Sequence, residues 1–137
     1  MSSLLNPYLS FDTNARDAME FYKGVFGGRL TLSTFGESGM SQDPAEANKV
    51  MHSQLETPSG FTLMASDTPP GMGAARPNGS ISLSGDSDAE LRGYWDKLSE
   101  GASVMMPLTA APWGDTFGML ADRFGVGWMV NIAGAKG

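Results

Sequence analysis

A change of apolar period that runs through the same order twice constrains this chain more than any single motif does. Pro7-Tyr8-Leu9-Ser10-Phe11-Asp12 alternates with the two-residue period of a half-buried strand. Thr13-Asn14 offers a helix cap, and Ala15, Ala18, Met19, Tyr22 and Phe26 then mark one face of a helix that Gly27-Gly28 ends. Strand-like Arg29 to Phe35 follows, then a polar loop to about Asn48, strand-like Lys49 to Thr57, the turn signal Pro58-Ser59-Gly60, and strand-like Phe61 to Ser66. After the Pro- and Gly-rich stretch from Asp67 to Gly79 the series restarts. Ser80 to Ser84 alternates, and Ser87 with Glu90 reads as a capping box. Leu91, Tyr94, Trp95 and Leu98 form the apolar face of a second helix, which Gly101 closes. Three strands are expected after it: Ala102 to Leu108, Trp113 to Ala121, and Val126 to Ile132.

The chain therefore reads βαβββ twice, an α+β pattern in one domain over residues 1–137. Module one covers about 5–67, a linker 68–79, and module two about 80–133. Residue identities support an internal repeat. Leu9 and Phe11 match Ile81 and Leu83, Phe21-Tyr22 match Tyr94-Trp95, Gly28 matches Gly101, and Gly60 and Met64 match Gly125 and Met129. Strand alternation also assigns faces. Leu9, Phe11, Leu63, Ala65, Ile81, Leu83, Trp128, Val130 and Ile132 carry the bulk and should pack beneath the helices. Tyr8, Ser10, Thr62, Met64, Ser66, Ser80, Ser82, Met129 and Asn131 face the other way. That mixture of hydroxyl, amide and thioether suits either a solvated sheet or the wall of a ligand cavity.

Composition excludes several function classes. With no cysteine in 137 residues, disulfide scaffolds, thiolate zinc sites and thiol catalysis are out. A chain of this length buries about two-thirds of its unfolded surface and needs no such staple. The net charge of -6, with Lys and Arg scattered, argues against nucleic acid and anionic membranes as partners. No segment approaches a membrane span, and Met1 to Pro7 lacks the pattern of a signal peptide, so a cytoplasmic protein is expected. Gly71-Met72-Gly73 lacks the downstream glycine and lysine of a phosphate-binding loop, and Ser59-Gly60 is a turn rather than a nucleophile elbow.

Several stretches resemble a known family: Pro7-Tyr8-Leu9-Ser10-Phe11; Glu20-Phe21-Tyr22-Lys23 with Val25-Phe26-Gly27-Gly28; Val50-Met51-His52; Leu63-Met64-Ala65-Ser66-Asp67; Pro112-Trp113-Gly114-Asp115; and Asp122-Arg123-Phe124-Gly125 with Trp128-Met129. In order and spacing, across about residues 5–133, they resemble the PhnB-like branch of the vicinal-oxygen-chelate (glyoxalase, bleomycin-resistance and dioxygenase) superfamily. The resemblance implies two βαβββ modules forming a curved eight-stranded mixed sheet around a cleft, and a homodimer. Metal-dependent members carry His, Glu or Gln near the start of each module's first strand and Glu or an equivalent within each last strand. The corresponding positions here are Tyr8 (Pro7 if the register slips by one), Met64, Ser80 and Met129. Thioethers and a neutral hydroxyl are poor ligands for Zn, Fe(II), Mn or Ni, so no metal and no cofactor are expected.

His52 is the sole histidine and shares the open side of its strand with Gln54. It is a candidate general base or a hydrogen-bond donor to ligand, against the plainer role of a partly buried ring satisfied by a backbone carbonyl or by a partner subunit. Trp113 and Asp115, on a turn shaped by Pro112 and Gly114, either close over a ligand or form a hairpin tip that packs on a partner subunit. Asp67 and Asp122, at strand ends beside turns, read as backbone-bonding residues. The expected ligand surface thus comprises Tyr8, Ser10, His52, Gln54, Met64, Ser80, Trp113, Asp115 and Met129, and its ligand is a small, partly apolar molecule. The competing functions are a glyoxalase-like lyase, isomerase or dioxygenase, and an antibiotic-sequestering resistance protein.

Overall fold

A computed structural model describes residues 5–37, 39, 44–68 and 78–134; Gly71-Met72-Gly73 and most of the expected linker lie outside them. The element order is β1 (Tyr8–Phe11), α1 (Ala15–Phe26), β2 (Arg29–Thr34), α2 (Pro44–Ala47), β3 (Val50–Glu56), β4 (Thr62–Asp67), β5 (Ser80–Gly85), α3 (Asp88–Leu98), β6 (Ser103–Ala110), β7 (Thr116–Ala121) and β8 (Gly127–Ile132). All eight expected strands and both long helices are present. The single-turn α2 interrupts what the sequence offered as a polar loop. The chain divides into two compact units at Pro77/Asn78, inside the expected linker.

Each unit is βαβββ with a four-stranded mixed sheet, in the orders β1-β4-β3-β2 and β5-β8-β7-β6. In each, the first strand runs parallel to the last and the other pairings are antiparallel. The face assignment holds: Leu9, Phe11, Leu63, Ala65, Leu83, Trp128, Val130 and Ile132 are buried, while only Ile81 remains part-exposed. On α1, Ala15, Ala18, Met19, Tyr22 and Phe26 are buried, as are Leu91, Tyr94, Trp95 and Leu98 on α3. Helix α1 packs on β2, β3 and β4, and α3 on β5 and β8.

Neither long helix is capped as its sequence proposes. Asn14 makes no side-chain cap bond; the Ala15 N–H donates instead to Asp67 Oδ1 at 2.9 Å, a carboxylate from the end of β4. Ser87 makes no side-chain cap bond either, and Glu90 accepts from the Tyr94 hydroxyl at 2.9 Å across one helical turn. The Ser87 half of the capping box is therefore not formed.

The internal repeat is real, but its register differs from the one residue identities give. The β3–β4 turn closes by Thr57 N–H to Phe61 O (3.0 Å) and the β7–β8 turn by Asp122 N–H to Val126 O (2.9 Å), with Gly60 and Gly125 at φ +90° and +84°. Met64 therefore answers to Met129, as expected. The Thr68 N–H donates to Phe11 O and the Ala133 N–H to Gly85 O, so Phe11 answers to Gly85, Leu9 to Leu83 and Tyr8 to Ser82. The matching of Leu9 and Phe11 to Ile81 and Leu83 is two residues out. A two-residue slip leaves every side chain on its own face, so period-2 patterning is blind to it. Likewise Gly27, rather than Gly28, matches Gly101: both have φ +74° and both stand two residues before a strand.

Gly118 on β7 is buried, and a Cβ there would lie 2.7 Å from the Trp95 ring and 3.0 Å from the Leu108 backbone. The Trp95 ring thus occupies the space a side chain would need. Gly118→Ala is expected to cost about 1–3 kcal/mol by overpacking, read as a lower urea midpoint at unchanged slope. A neutral result would mean that the ring is free to move aside.

Candidate functional site

Away from its helix, the first sheet presents three rows of side chains set by strand register. One is Tyr8–Met64–Gln54–Thr31, another Thr62–Glu56–Arg29, and a third brings together Ser10 with Ser66 and His52 with Ser33. Met51 has no Cα partner at the β2–β3 irregularity. Val50 and Ser53 are consequently both buried, while His52 and Gln54 are part-exposed on the open face. Of the expected surface, Tyr8, Ser10, His52, Gln54 and Met64 thus lie together on one sheet.

The face is polar and mostly self-engaged. The Tyr8 hydroxyl lies 3.4 Å from Nδ1 of His52, with the rings 6.0 Å apart. Arg29 pairs with Glu56 at 3.0 Å, and the Gln54 amide donates to the other Glu56 oxygen at 2.9 Å. The hydrogen bond from Arg29, then that from Gln54, holds the exposed Glu56 carboxyl below its usual range. Among the described residues His52 has no carboxylate partner, which a strong general base would use for orientation.

The second sheet's open face differs in kind. Its central row is Ser82–Met129–Met119–Met106, flanked by Ser84–Asn131–Phe117–Thr109 and Ser80–Gly127–Ala121–Ser103. Ser82, rather than Ser80, stands beside Met129; Ser80 is exposed one pair further along, opposite Gly127. Trp113, 61% exposed on the β6–β7 turn, meets Phe117 edge-on at 5.6 Å and points its indole N–H at Asn131 Oδ1 at 3.4 Å. The Asn131 amide donates to Asp115 Oδ2 at 3.0 Å, and Asp115 Oδ1 accepts the Gly134 N–H at 2.8 Å. Asp115 therefore orients Asn131, and Asn131 orients Trp113. The result is an apolar platform of Met, Phe and Trp with one oriented amide.

Phe117, Met119 and Met106 belong to this platform but are not among the residues expected on the open face, whereas Asn131 lies on the face expected of it. On β7, Phe117-Gly118-Met119-Leu120 hides the alternation, because Gly118 holds an inward position that would otherwise carry bulk. Asp67 and Asp122 are buried structural acceptors, as expected. Asp122 takes the N–H groups of Phe124 and Val126 and the indole N–H of Trp128 at 2.8, 3.1 and 2.8 Å. Among the described residues, no three His, Asp or Glu side chains converge as a metal site would require, and no helix is long and apolar enough to cross a membrane.

Residues 4–130 match the model of the Glyoxalase/Bleomycin resistance protein/Dioxygenase superfamily. Protein YjdN of Escherichia coli K12 is 30% identical over 139 residues, covering 93% of this chain and 94% of that protein. Among solved structures, protein PA1353 of Pseudomonas aeruginosa shares 42% identity at TM-score 0.78, over 98% of this chain and 100% of that one. A PhnB protein from Bacillus cereus shares 25% identity at TM-score 0.73, over 96% of this chain and 100% of that one.

Proposed function

Because the chain belongs to the glyoxalase/bleomycin resistance protein/dioxygenase superfamily, we propose that it is a PhnB-like member that binds a small, partly apolar molecule on its open sheet surfaces without a divalent metal. The carrying observation is strand register. The pair that would supply ligands in each module is Tyr8 with Met64 in the first and Ser82 with Met129 in the second. This donor set does not fit a hard divalent ion, which needs carboxylate or imidazole donors. What replaces them is a surface able to exclude water from an apolar group while offering it one oriented amide. The Bacillus cereus PhnB protein, similar over nearly all of both chains, supports the branch.

Native mass spectrometry of the purified protein tests the reading. The expected spectrum shows a substoichiometric small-molecule adduct that Trp113→Ala removes, with the fold intact by circular dichroism. An adduct that survives both Trp113→Ala and Met129→Ala would contradict the assignment to this face. The same spectrum reports oligomeric state; a homodimer is proposed, in the cytoplasm.

A second reading, a metal-free enzyme, has one observation in its favour, the contact between Tyr8 and His52. A phenol beside an imidazole can relay a proton to or from a bound molecule. Under that reading His52→Ala abolishes turnover of any substrate found, whereas under the binding reading neither wild type nor variant turns over a substrate.

A further inference from the structure

We propose that the open face of the second sheet is a site for a soft monovalent ion of the Cu(I) class, held by the thioether sulfurs of Met106, Met119 and Met129. The proposal rests on register rather than on methionine content. Met106 pairs with Met119 between two register shifts on β6, and Met119 pairs with Met129 in an unbroken ladder, so the three lie opposite one another across three adjacent strands. Paired residues in antiparallel strands have Cα atoms about 4.5–5.5 Å apart. The outer two therefore flank the central one at a separation that long, unbranched side chains with three rotatable bonds can close from either side. Burial fits access: Met119 and Met129 are part-buried, and Met106 on the edge strand is 47% exposed, leaving an entry path.

The chemistry selects the ion. Thioether sulfur is a soft, neutral donor that binds Cu(I) in preference to Zn, Mn or Mg. Three neutral donors suit a monovalent cation, since no carboxylate is needed to balance a second charge. Ser82 at the end of the row is the nearest hard donor by register, and a neutral hydroxyl binds weakly. The Asp115 carboxylate, beside the adjoining row, is engaged by Asn131 and Gly134. The Trp113 ring stands beside that same row and adds a π face of the kind that attracts cations.

The first module supplies an internal control. Its equivalent row is Tyr8–Met64–Gln54–Thr31, with one sulfur where the second module has three. The two modules share one strand order, and only the second sets three sulfurs in this row.

The test titrates the full-length protein with Ag(I) nitrate, and anaerobically with Cu(I) against a chromophoric Cu(I) chelator, while following methionine methyl signals by NMR. The methyls of Met106, Met119 and Met129 are expected to shift together and saturate at one equivalent, with that of Met64 unmoved. Met119→Leu, which keeps volume and removes sulfur, should weaken Ag(I) at least tenfold. Met106→Leu, at an exposed edge position where folding is not at stake, should weaken it several-fold. Shifts spread over all methionines without saturation, or wild-type affinity in both variants, would overturn the site. The proposal is independent of the small-molecule reading, because an adduct displaced by Trp113→Ala in a protein that ignores Ag(I) sinks this inference alone.

Discussion

Replacing Asp67 with Ala should remove about 3–5 kcal/mol of unfolding free energy, as much as truncating a large core side chain. Asp67 is 2% exposed, at the end of β4. One oxygen accepts the Ala15 N–H at 2.9 Å, the first amide of α1, and the other accepts the Val50 N–H at 2.8 Å, the first amide of β3. One carboxylate thus ties the start of a helix to the ends of two strands and places negative charge at the positive end of the helix dipole. Each hydrogen bond to a charged acceptor contributes about 1.5–3 kcal/mol, and Ala leaves both amides buried without a partner. Asp67→Asn keeps one carbonyl acceptor but turns an NH₂ toward the other amide, so about half the loss is expected. Urea denaturation followed by circular dichroism measures both. A loss below about 1 kcal/mol for Ala would mean that water reaches these amides and that Asn14 can cap the helix unaided.

Gly28→Ala is expected to cost about 3 kcal/mol or more, against about 1 kcal/mol for Gly60→Ala. Both glycines have positive φ, +104° and +90°, so both substitutions carry the strain of a left-handed backbone. They differ in what a Cβ would meet. At Gly28 it would collide with the carbonyl oxygen of Glu56 and fall 2.8 Å from the Thr57 Cα, whereas at Gly60 nothing lies within 4 Å. Backbone at the end of β3 cannot yield as a side-chain tip can. Arg29 pairs with Glu56 immediately beyond, so relief has to come from opening the β2–β3 ladder. Equal effects at the two sites would show that the close approach relaxes without cost.

Much of this fold is legible in the sequence, and the limits follow from what each signal encodes. Helix α1 is readable because Ala15, Ala18, Met19, Tyr22 and Phe26 obey a helical period that burial alone sustains. Strand faces are readable for the same reason. Register is not, since shifting β5 by two residues leaves the alternation of Ile81 and Leu83 unchanged while moving Ser82 into the place expected of Ser80. Tertiary capping is also invisible, because the acceptor for Ala15 lies 52 residues away. The candidate site divides along the same line. Alternation places His52, Gln54, Met64 and Met129 on the open faces, and turn chemistry places Trp113 and Asp115 on the β6–β7 turn. Met119 and Phe117 were missed because Gly118, emptied to admit the Trp95 ring, erases the inward half of the β7 pattern.

The central claim is that sulfur and hydroxyl groups stand where a hard cation would need charged oxygen or imidazole. It is tested most directly by quantifying zinc, iron, manganese and nickel in protein purified without chelators, and by melting the same sample with and without EDTA. Well under one divalent ion per chain and the same melting temperature in both conditions are expected. One such ion per chain, with a melting temperature that falls when EDTA removes it, would contradict it.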